Sequence, residues 1–310
     1  MSSDADHQVP GNFPEKPITI IVGFPPGGSL DLTAQPLANA VNAKKYLPQP
    51  IEVVHRPGEA GTKGMAEFLE SRPDGYTLNL GAMGLLTLQP HLRDLPYDTA
   101  EDYTPIISLV NNPVCLAVRQ DAPWKNINEF IADAKNRPGK IRVGDLGKGS
   151  ALHLATEQLK LAAGIDLTPA HMSGSPENLA ALLGGKVEGV TNHHAVFPDE
   201  VDAGRVRILG VFETGRNVLY PDAETFIEAG YDVTFDSYAC MIGPKDLPEA
   251  IVSILHDAFK KAMADPLFTE PMKEKGLDLF YKNPQDLKAI LMQDYEANAK
   301  VVRAIGLSAG

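Results

Sequence analysis

Short apolar segments alternate with helix-like segments along the first third of the chain. The segments ITIIVGF, IEVVHR and TLNLG are typical of buried strands, and residues 30 to 43 and the segment TKGMAEFLESR are typical of the helices between them. Strands separated by helices form parallel sheets, because each crossover returns the chain to the same end of the sheet. The alternation therefore predicts an α/β fold.

The middle of the chain follows the same pattern. Further strands are predicted at VCLAVR, KIRVGD and RVRILGVF. The segments SALHLATEQLKLAAG and SPENLAALLGG predict helices capped by Ser150 and Ser175, because a serine hydroxyl accepts a bond from the free N–H groups of a first turn. A final long helix is expected near residues 284 to 304.

A length of 310 residues fits two domains better than one. The strand-like stretches around 112 to 116 and 237 to 242 bracket the middle segment, so the chain is expected to cross between domains at these two places. We predict two domains, each a mostly parallel sheet flanked by helices, with a cleft between them. The predicted division is a disordered tail at 1–13, a discontinuous first domain at 14–112 plus 238–310, and a second domain at 113–237.

The formal net charge of −12, with no basic stripe, argues against nucleic-acid binding. The longest apolar runs are too short to span a bilayer. The N-terminus MSSDADHQVPGN lacks the apolar core of a signal peptide, which leaves a cytosolic protein and a processed exported form both open. Cys115 and Cys240 stand in apolar strand-like stretches, as two buried thiols or as one bridge between neighbouring strands.

Small residues stand at four predicted strand-to-helix junctions, namely Gly23 to Ser29, Gly81 to Gly84, Gly144 to Ser150 and Ser173 to Pro176. Ligands of open α/β sheets bind at this edge. The first N–H groups of a helix are free and partly positive, and glycine lets a ligand approach the backbone. One such cluster is typical of an ordinary turn, but the four together favour an anion site made of backbone N–H groups.

Catalytic motifs are weaker. Gly144, Gly147 and Gly149 form G-x-x-G-x-G, which resembles a dinucleotide loop but has neither its spacing nor its following acid. Ser150 and His153 share one helix face, where a packed or capping histidine is the alternative to a nucleophile pair. The rival to a binding protein is therefore an α/β enzyme, either a nucleotide-dependent transferase using the Gly144–Ser150 loop or a hydrolase using Ser150 and His153.

Metal binding is also weakly indicated. His193 and His194 are adjacent, so their side chains tend to point apart and chelate poorly. No metal and no cofactor are predicted.

The opening segment PEKPITIIVGFPPGGSLDLTAQPLA resembles that of the periplasmic solute-binding proteins of tripartite tricarboxylate transporters, the Bug family. Further blocks resemble the same family at IEVVHRPGEAGTKG, RPDGYTLNLG, GKGSALHL, LLGGKVEG, AGRVRILGVF and GPKDLPEAIVSILHDAFKKAM. The resemblance covers nearly all of residues 14 to 305.

This resemblance implies a type II periplasmic-binding-protein architecture that closes on an organic acid and catalyses no reaction. The acid would be a di- or tricarboxylate or an aromatic carboxylate, with one carboxylate held between two turns. The site residues that the resemblance implies are Phe24, Pro25, Pro26, Gly27, Gly28 and Ser29, with Asp31 fixing this first turn; Ala82, Met83 and Gly84; Gly147, Lys148, Gly149 and Ser150, with His153 beside them; and Ser173, Gly174 and Ser175.

Two positions depart from the family pattern or extend it. Asn192, followed by His193 and His194, stands where the family usually has an aspartate that can accept a bond from an ammonium group, so we expect a ligand without an α-amino group. Tyr238 is expected to face the cleft and bond a distal carboxylate, with packing at the hinge as the alternative.

The resemblance also implies a periplasmic location, with the signal peptide absent from this chain, and delivery of the ligand to the membrane subunits of a tripartite transporter. A monomer is expected. An oxidising periplasm would allow a Cys115–Cys240 bridge that restrains the hinge.

Overall fold

The computed structural model describes residues 12–235, 237–304 and 306. The strands are β1 (Ile18–Val22), β2 (Ile51–His55), β3 (Thr77–Ala82), β4 (Tyr103–Asn111), β5 (Val114–Arg119), β6 (Arg142–Asp145), β7 (Thr168–His171), β8 (Gly189–His193), β9 (Val206–Val211), β10 (Glu224–Thr225), β11 (Tyr238–Pro244) and β12 (Leu279–Lys282). The helices are α1 (Ser29–Lys44), α2 (Thr62–Leu69), α3 (Met83–Thr87), α4 (Ile127–Asn136), α5 (Ala151–Ala163), α6 (Ser175–Leu183), α7 (Pro198–Asp202), α8 (Glu249–Met263), α9 (Pro266–Glu274) and α10 (Pro284–Ala304).

The strands form two six-stranded sheets. The first has the order β12-β4-β11-β3-β1-β2 and the second the order β10-β9-β5-β8-β6-β7. We call the first sheet with its helices lobe 1 and the second lobe 2. The α/β architecture of two sheets flanked by helices is as the sequence predicted.

Strand direction changes where the chain passes between the lobes. Pairing is parallel along β2-β1-β3 and along β7-β6-β8, where helices connect successive strands. Strand β11 is antiparallel to β3 and β4, and β5 is antiparallel to β8 and β9. These antiparallel strands, which a strand-helix alternation does not predict, lie next to the two crossings.

The two crossings lie side by side. The first runs from β4 to β5 through Asn112, and the second enters β11 from Ser237. The Asn112 N–H donates to the Ser237 carbonyl at 2.7 Å. A pair of adjacent strands is the geometry of a hinge between two bodies.

Apolar side chains are packed inside both lobes, and one buried cluster, which includes Phe68 of lobe 1 and Phe130 of lobe 2, runs through both. In lobe 1 the inward residues of β1 and β3, such as Ile20 and Leu78, are fully buried with Phe259 of α8. In lobe 2, Phe130 of α4 and Val143 of β6 are fully buried in the same way. Each such side chain stabilises the fold by roughly 1.5–3 kcal/mol relative to exposure.

Three local predictions have different outcomes in the structure. The predicted tail at 1–13 falls mostly outside the described residues, but Phe13 is buried and stacks edge-on against Tyr76 at 5.2 Å. Cys115 lies in lobe 2 and Cys240 in lobe 1, both buried and both free thiols, so the bridge is not formed. Among the described helices, none is both long and apolar enough to cross a bilayer.

Candidate ligand-binding cleft

A cavity lies between the two lobes at the carboxyl ends of the strands. It encloses about 520 Å³ of space that is partly continuous with solvent. Lobe 1 contributes Phe24, Gly28, Ser29, Leu30, Ala60, Ala82, Gly84, Leu85 and Gln89; lobe 2 contributes Leu146, Ser150, Ala151, Leu152, Ser175 and His193; and Ser237 comes from the second crossing.

The N-terminus of α1 opens onto this cavity. Gly28 caps the helix without a side-chain hydrogen bond, so the N–H groups of Ser29 and Leu30 keep no partner from a cap. Upstream, the Gly27 N–H donates to the Asp31 carboxylate at 2.8 Å, and His55 bonds the same carboxylate at 2.9 Å. Asp31 therefore fixes the first turn, as expected, and the helix presents its free N–H groups to the cavity.

The N-terminus of α5 faces the same cavity from lobe 2. The Ser150 hydroxyl accepts from the His153 N–H at 3.2 Å, so Ser150 is the N-cap that the sequence predicted. The N–H groups of Ala151 and Leu152, the first two helical residues, remain free beside the cavity. Two helix N-termini from different lobes thus line one cavity.

Side chains behind the second turn hold its shape. The Gly147 N–H donates to Asp145 at 2.8 Å, and the Gly149 N–H donates to Nδ1 of His153 at 3.1 Å. Both glycines have positive φ, 111° and 76°, which a side chain would strain. Burial lowers the pKa of His153 to about 4, so the ring is neutral and its Nδ1 is free to accept.

Asn192, near the end of β8, orients the residues around it in lobe 2. Its Oδ1 accepts from the Ser175 hydroxyl and from the His193 N–H, each at 2.9 Å. Asn192 is fully buried and orients two cavity residues without lining the cavity itself.

Among the described residues that line the cavity, none is Asp, Glu, Lys or Arg. The walls are mostly apolar, with serine hydroxyls and free N–H groups as the polar groups. Helix N-termini favour negative charge through their dipoles and free donors. The arrangement can therefore hold an anion without a cationic side chain.

The lobes touch around the cavity. A methyl group at Gly84 would lie 2.7 Å from the Ala151 Cβ. Gln89 donates to the Gly149 carbonyl, and Arg93 donates to the Lys148 carbonyl at 3.4 Å. The cleft is thus closed, with small residues at the contact.

Eight of the residues expected from the resemblance line the cavity, namely Phe24, Gly28, Ser29, Ala82, Gly84, Ser150, Ser175 and His193. Ten other expected residues do not line the cavity themselves, namely Pro25, Pro26, Gly27, Asp31, Met83, Gly147, Gly149, His153, Gly174 and Asn192.

Three expected residues have other partners. The Tyr238 hydroxyl donates to Asp294 at 2.7 Å and its ring lies 5.4 Å from that of Phe280, so Tyr238 packs at the hinge instead of facing the cleft. The Ser173 hydroxyl donates to Glu177 at 2.6 Å, outside the cavity. The Lys148 side chain is exposed, because the glycines on both sides turn the backbone at this point.

The cap of α6 also differs from expectation. Gly174, with extended backbone, is the N-cap, and Ser175 is the first helical residue. The Ser175 hydroxyl is free to bond Asn192 because it does not cap the helix.

Sequence reasoning missed half of the lining, namely Leu30, Ala60, Leu85, Gln89, Leu146, Ala151, Leu152 and Ser237. Ala151 and Leu152 directly follow the predicted cap and could have been found as the first N–H donors of α5. Ala60 and Gln89 come from turns that only the tertiary fold brings to the cavity.

The arrangement does not suit the catalytic alternatives. The Ser150 hydroxyl bonds the backbone of His153, and the His153 ring bonds the Gly149 N–H, so the two side chains form no nucleophile–base pair. His193 and His194 bond different segments, at the Asn112 carbonyl and at the carbonyls of residues 275 and 276. Within the described residues, one set that could hold a metal is Asp145, His153 and His171, whose ligand atoms lie within 4.8 Å of one another.

Comparison with known proteins agrees with this picture. The family described as "Tripartite tricarboxylate transporter family receptor" matches residues 37–307. A relative from Cupriavidus necator, "UPF0065 protein in gbd 5'region", is 33% identical over 296 residues, covering 96% of this chain and 89% of the relative. "Protein BugT" of Bordetella pertussis is 28% identical, covering 95% of this chain and 90% of its own.

Solved structures show the same architecture. A Rhodopseudomonas palustris protein, MatC, with bound malate has a TM-score of 0.88 at 26% identity, covering 94% of this chain and 100% of that one. R. palustris Rpa4515 with adipate has a TM-score of 0.89 at 25% identity, covering 96% and 100%. A Polaromonas TctC solute-binding protein without ligand has a TM-score of 0.70 at 29% identity, covering 94% and 99%.

Two lobes, two crossings and an uncharged cleft lined by helix N-termini define a periplasmic-type solute-binding protein, a class of ligand carriers and not of enzymes. This chain belongs to the tripartite tricarboxylate transporter receptor family, which includes the Bug proteins.

Proposed function

We propose that this protein captures an organic acid in the periplasm and delivers it to the membrane subunits of a tripartite tricarboxylate transporter. The observation that carries the proposal is the convergence of α1 and α5 on one cavity whose described lining has no charged side chain. The malate and adipate in the two R. palustris structures support a carboxylate as the ligand. The acid is a di- or tricarboxylate or an aromatic carboxylate, and the receptor works as a monomer.

Free N–H groups supply enough free energy for this task. A hydrogen bond from an N–H to a charged group contributes about 1.5–3 kcal/mol. Four such bonds contribute about 6–12 kcal/mol, and against an association cost of at least about 4 kcal/mol they leave at most about 8 kcal/mol, which corresponds to a micromolar dissociation constant. Ser29, Leu30, Ala151 and Leu152 offer these four donors.

Closure of the lobes is part of the proposed mechanism. Residues 14–112 plus 238–310 form one domain and residues 113–237 the other, and they move about the crossings at Asn112 and Ser237. The better overlay on the two carboxylate-bound structures than on the ligand-free one supports a closed state here. Ligand bonds that exist only in this state shift the population toward it.

The backbone grip is tested with Ala151→Pro. Proline lacks the N–H but fits the first position of a helix, and Ser150, with φ −68° and ψ 160°, has a backbone compatible with a following proline. First, a thermal-shift screen of organic acids identifies the ligand. We then expect Ala151→Pro to weaken it at least about 10-fold by calorimetry.

Glu249→Pro is the matched control, since Glu249 is the exposed first residue of α8 and does not line the cavity. The Glu249→Pro variant should bind the ligand with wild-type affinity. Wild-type affinity in Ala151→Pro would refute the backbone grip. An absence of binding by any organic acid would refute the function itself.

The absence of an α-amino group in the ligand is a separate part of the proposal. Asn192 is fully buried and its Oδ1 is already bonded, so it offers no carboxylate to an ammonium group. Aspartate and glutamate should bind more weakly than succinate and glutarate of the same lengths. Tighter binding of the two amino acids in calorimetry would contradict this.

A further inference from the structure

The ring of His193 has a defined orientation at the cavity wall. Its Nδ1 lies 3.0 Å from the Asn112 carbonyl oxygen. A carbonyl only accepts, so Nδ1 carries the proton and donates. The same ring lines the cavity, and its Nε2 has no partner among the described residues.

A neutral imidazole protonated on Nδ1 has a lone pair on Nε2. His193 is buried, and burial lowers its pKa to about 4, so the ring is neutral near pH 7. The neighbouring His194 acts in the same direction on this pKa. His193 therefore offers a hydrogen-bond acceptor to the cavity, in contrast to the donors of α1 and α5.

Few other groups can satisfy this acceptor. Nearby, the Ser175 hydroxyl already donates to Asn192. The described cavity lining holds no lysine or arginine that could turn toward the ring. The partner therefore comes from the ligand, from water or from another lining hydroxyl such as that of Ser237, which is buried and makes no other hydrogen bond among the described residues.

This acceptor discriminates between ligand groups. A hydroxyl can donate to Nε2, whereas a carboxylate would place its oxygens against the lone pair. An unpaired buried acceptor loses its bond to water without replacement, which makes the wrong group costly.

We propose that His193 is a specificity-determining residue that accepts a hydrogen bond from a ligand hydroxyl, and that the ligand is a hydroxycarboxylate. One carboxylate lies at the N-termini of α1 and α5, and the hydroxyl lies at His193. This inference rests on the proposed function and narrows its ligand class.

The test compares hydroxylated acids with their deoxy counterparts by calorimetry. The pairs are malate with succinate, 3-hydroxybutyrate with butyrate, 4-hydroxybutyrate with butyrate, and 4-hydroxybenzoate with benzoate, which place the hydroxyl at different distances from the carboxylate. In the pair that fits the cavity, the hydroxyl should tighten binding about 3- to 10-fold. Deoxy acids that bind as tightly in every pair would overturn the proposal while leaving the carboxylate function standing.

Variants assign the preference to His193. In His193→Phe the hydroxy-to-deoxy ratio should fall to about one, whereas His193→Gln, which keeps an acceptor oxygen, should retain part of it. The ratio is measured within one variant, so a general loss of stability cancels. His256→Phe, on α8 and outside the cavity lining, is the control and should keep the wild-type ratio.

Nitrogen NMR of wild type gives a readout that does not depend on any variant. His193 should show protonated Nδ1 and bare Nε2 without ligand, and the Nε2 signal should shift with the hydroxy acid but not with its deoxy partner. A protonated Nε2 in the free protein, or an unchanged hydroxyl preference in His193→Phe, would overturn the assignment.

Discussion

Single residues at the lobe contact decide how closely the lobes can approach. Gly84 is the second residue of α3 and lies directly against Ala151 of the other lobe. A Cβ there has no room in the closed state, because the nearest atom would be 2.7 Å away. If the lobes moved apart, this contact with Ala151 would be absent.

We therefore expect Gly84→Ala to reduce ligand affinity about 10-fold or more, since one or two kcal/mol of overlap falls on the closed state alone. The melting temperature of the ligand-free protein should change little. Calorimetry and thermal unfolding measure the two effects. Gly215→Ala, where a Cβ meets nothing within 4 Å, is the control, and an equal loss in both variants would contradict the argument.

Buried histidines make the fold sensitive to acid. Burial lowers the pKa of His153, His193 and His194 to about 4. In the unfolded chain each titrates near 6.5, so below that pH the unfolded state binds protons that the folded state refuses. The hydrogen bond with Asp145 raises the pKa of His171, whose contribution is instead lost as the pH rises.

The free energy of unfolding should therefore fall between about pH 6.5 and pH 4, by roughly 1.4 kcal/mol per pH unit for each of the three histidines, while the change due to His171 falls above about pH 6.5. His194→Gln removes one of the three and should flatten the slope by about a third. Urea unfolding at pH 7, 6 and 5 measures this slope. A stability that stays constant over that range would exclude the effect.

Among the elements, the strand-to-helix junctions carry most of what sequence could predict. The roles of Ser150 as the cap of α5 and of Asp31 in holding the turn before α1 could be predicted from the sequence, because capping and turn formation depend on neighbours only a few residues away. The role of Gln89 could not be predicted from the sequence, since its bond to the Gly149 carbonyl depends on the approach of the two lobes. Tyr238 was misassigned because its partner Asp294 lies on α10, 56 residues further along the chain.

The segment that follows α3 acts as a clasp between the lobes. Arg93 donates to the Lys148 carbonyl at 3.4 Å while also pairing with Glu59 at 3.1 Å in its own lobe. The bond to Lys148 exists only when the lobes meet. Its loss should therefore be visible in ligand release and not in folding.

Arg93→Ala should raise the dissociation rate of the ligand about two- to fivefold, the effect of one partly exposed hydrogen bond. Stopped-flow displacement measures the rate. Arg216→Ala is the matched control, because Arg216 pairs with Glu228 within lobe 2. A similar rate increase in the control, or none in Arg93→Ala, would contradict the clasp.

At the scale of the whole molecule, the alternating pattern predicted two α/β lobes, but not how the chain connects them. The antiparallel strands β5 and β11 each follow a crossing between the lobes. Their apolar sequences resemble those of any buried strand. Strand direction follows from tertiary pairing, which a local period does not encode. The same holds for Cys115 and Cys240, which the topology places in different sheets.

Because the described part of the chain passes between the lobes at two adjacent crossings, the ligand-free protein should populate a more open arrangement. Small-angle X-ray scattering should show a smaller radius of gyration on saturation with ligand, and Gly84→Ala should show less of this change. An identical scattering profile with and without ligand would mean that the lobes do not move.

The main-chain grip at α1 and α5 also bears on how such receptors diversify. An amide is present whatever the side chain, so mutation of the walls leaves the anchor for the acid intact. After gene duplication, exchanges at wall positions such as Leu30, Leu85 and Leu146 could retune the cargo in few steps. The same tolerance makes this scaffold a practical starting point for engineered biosensors of new acids.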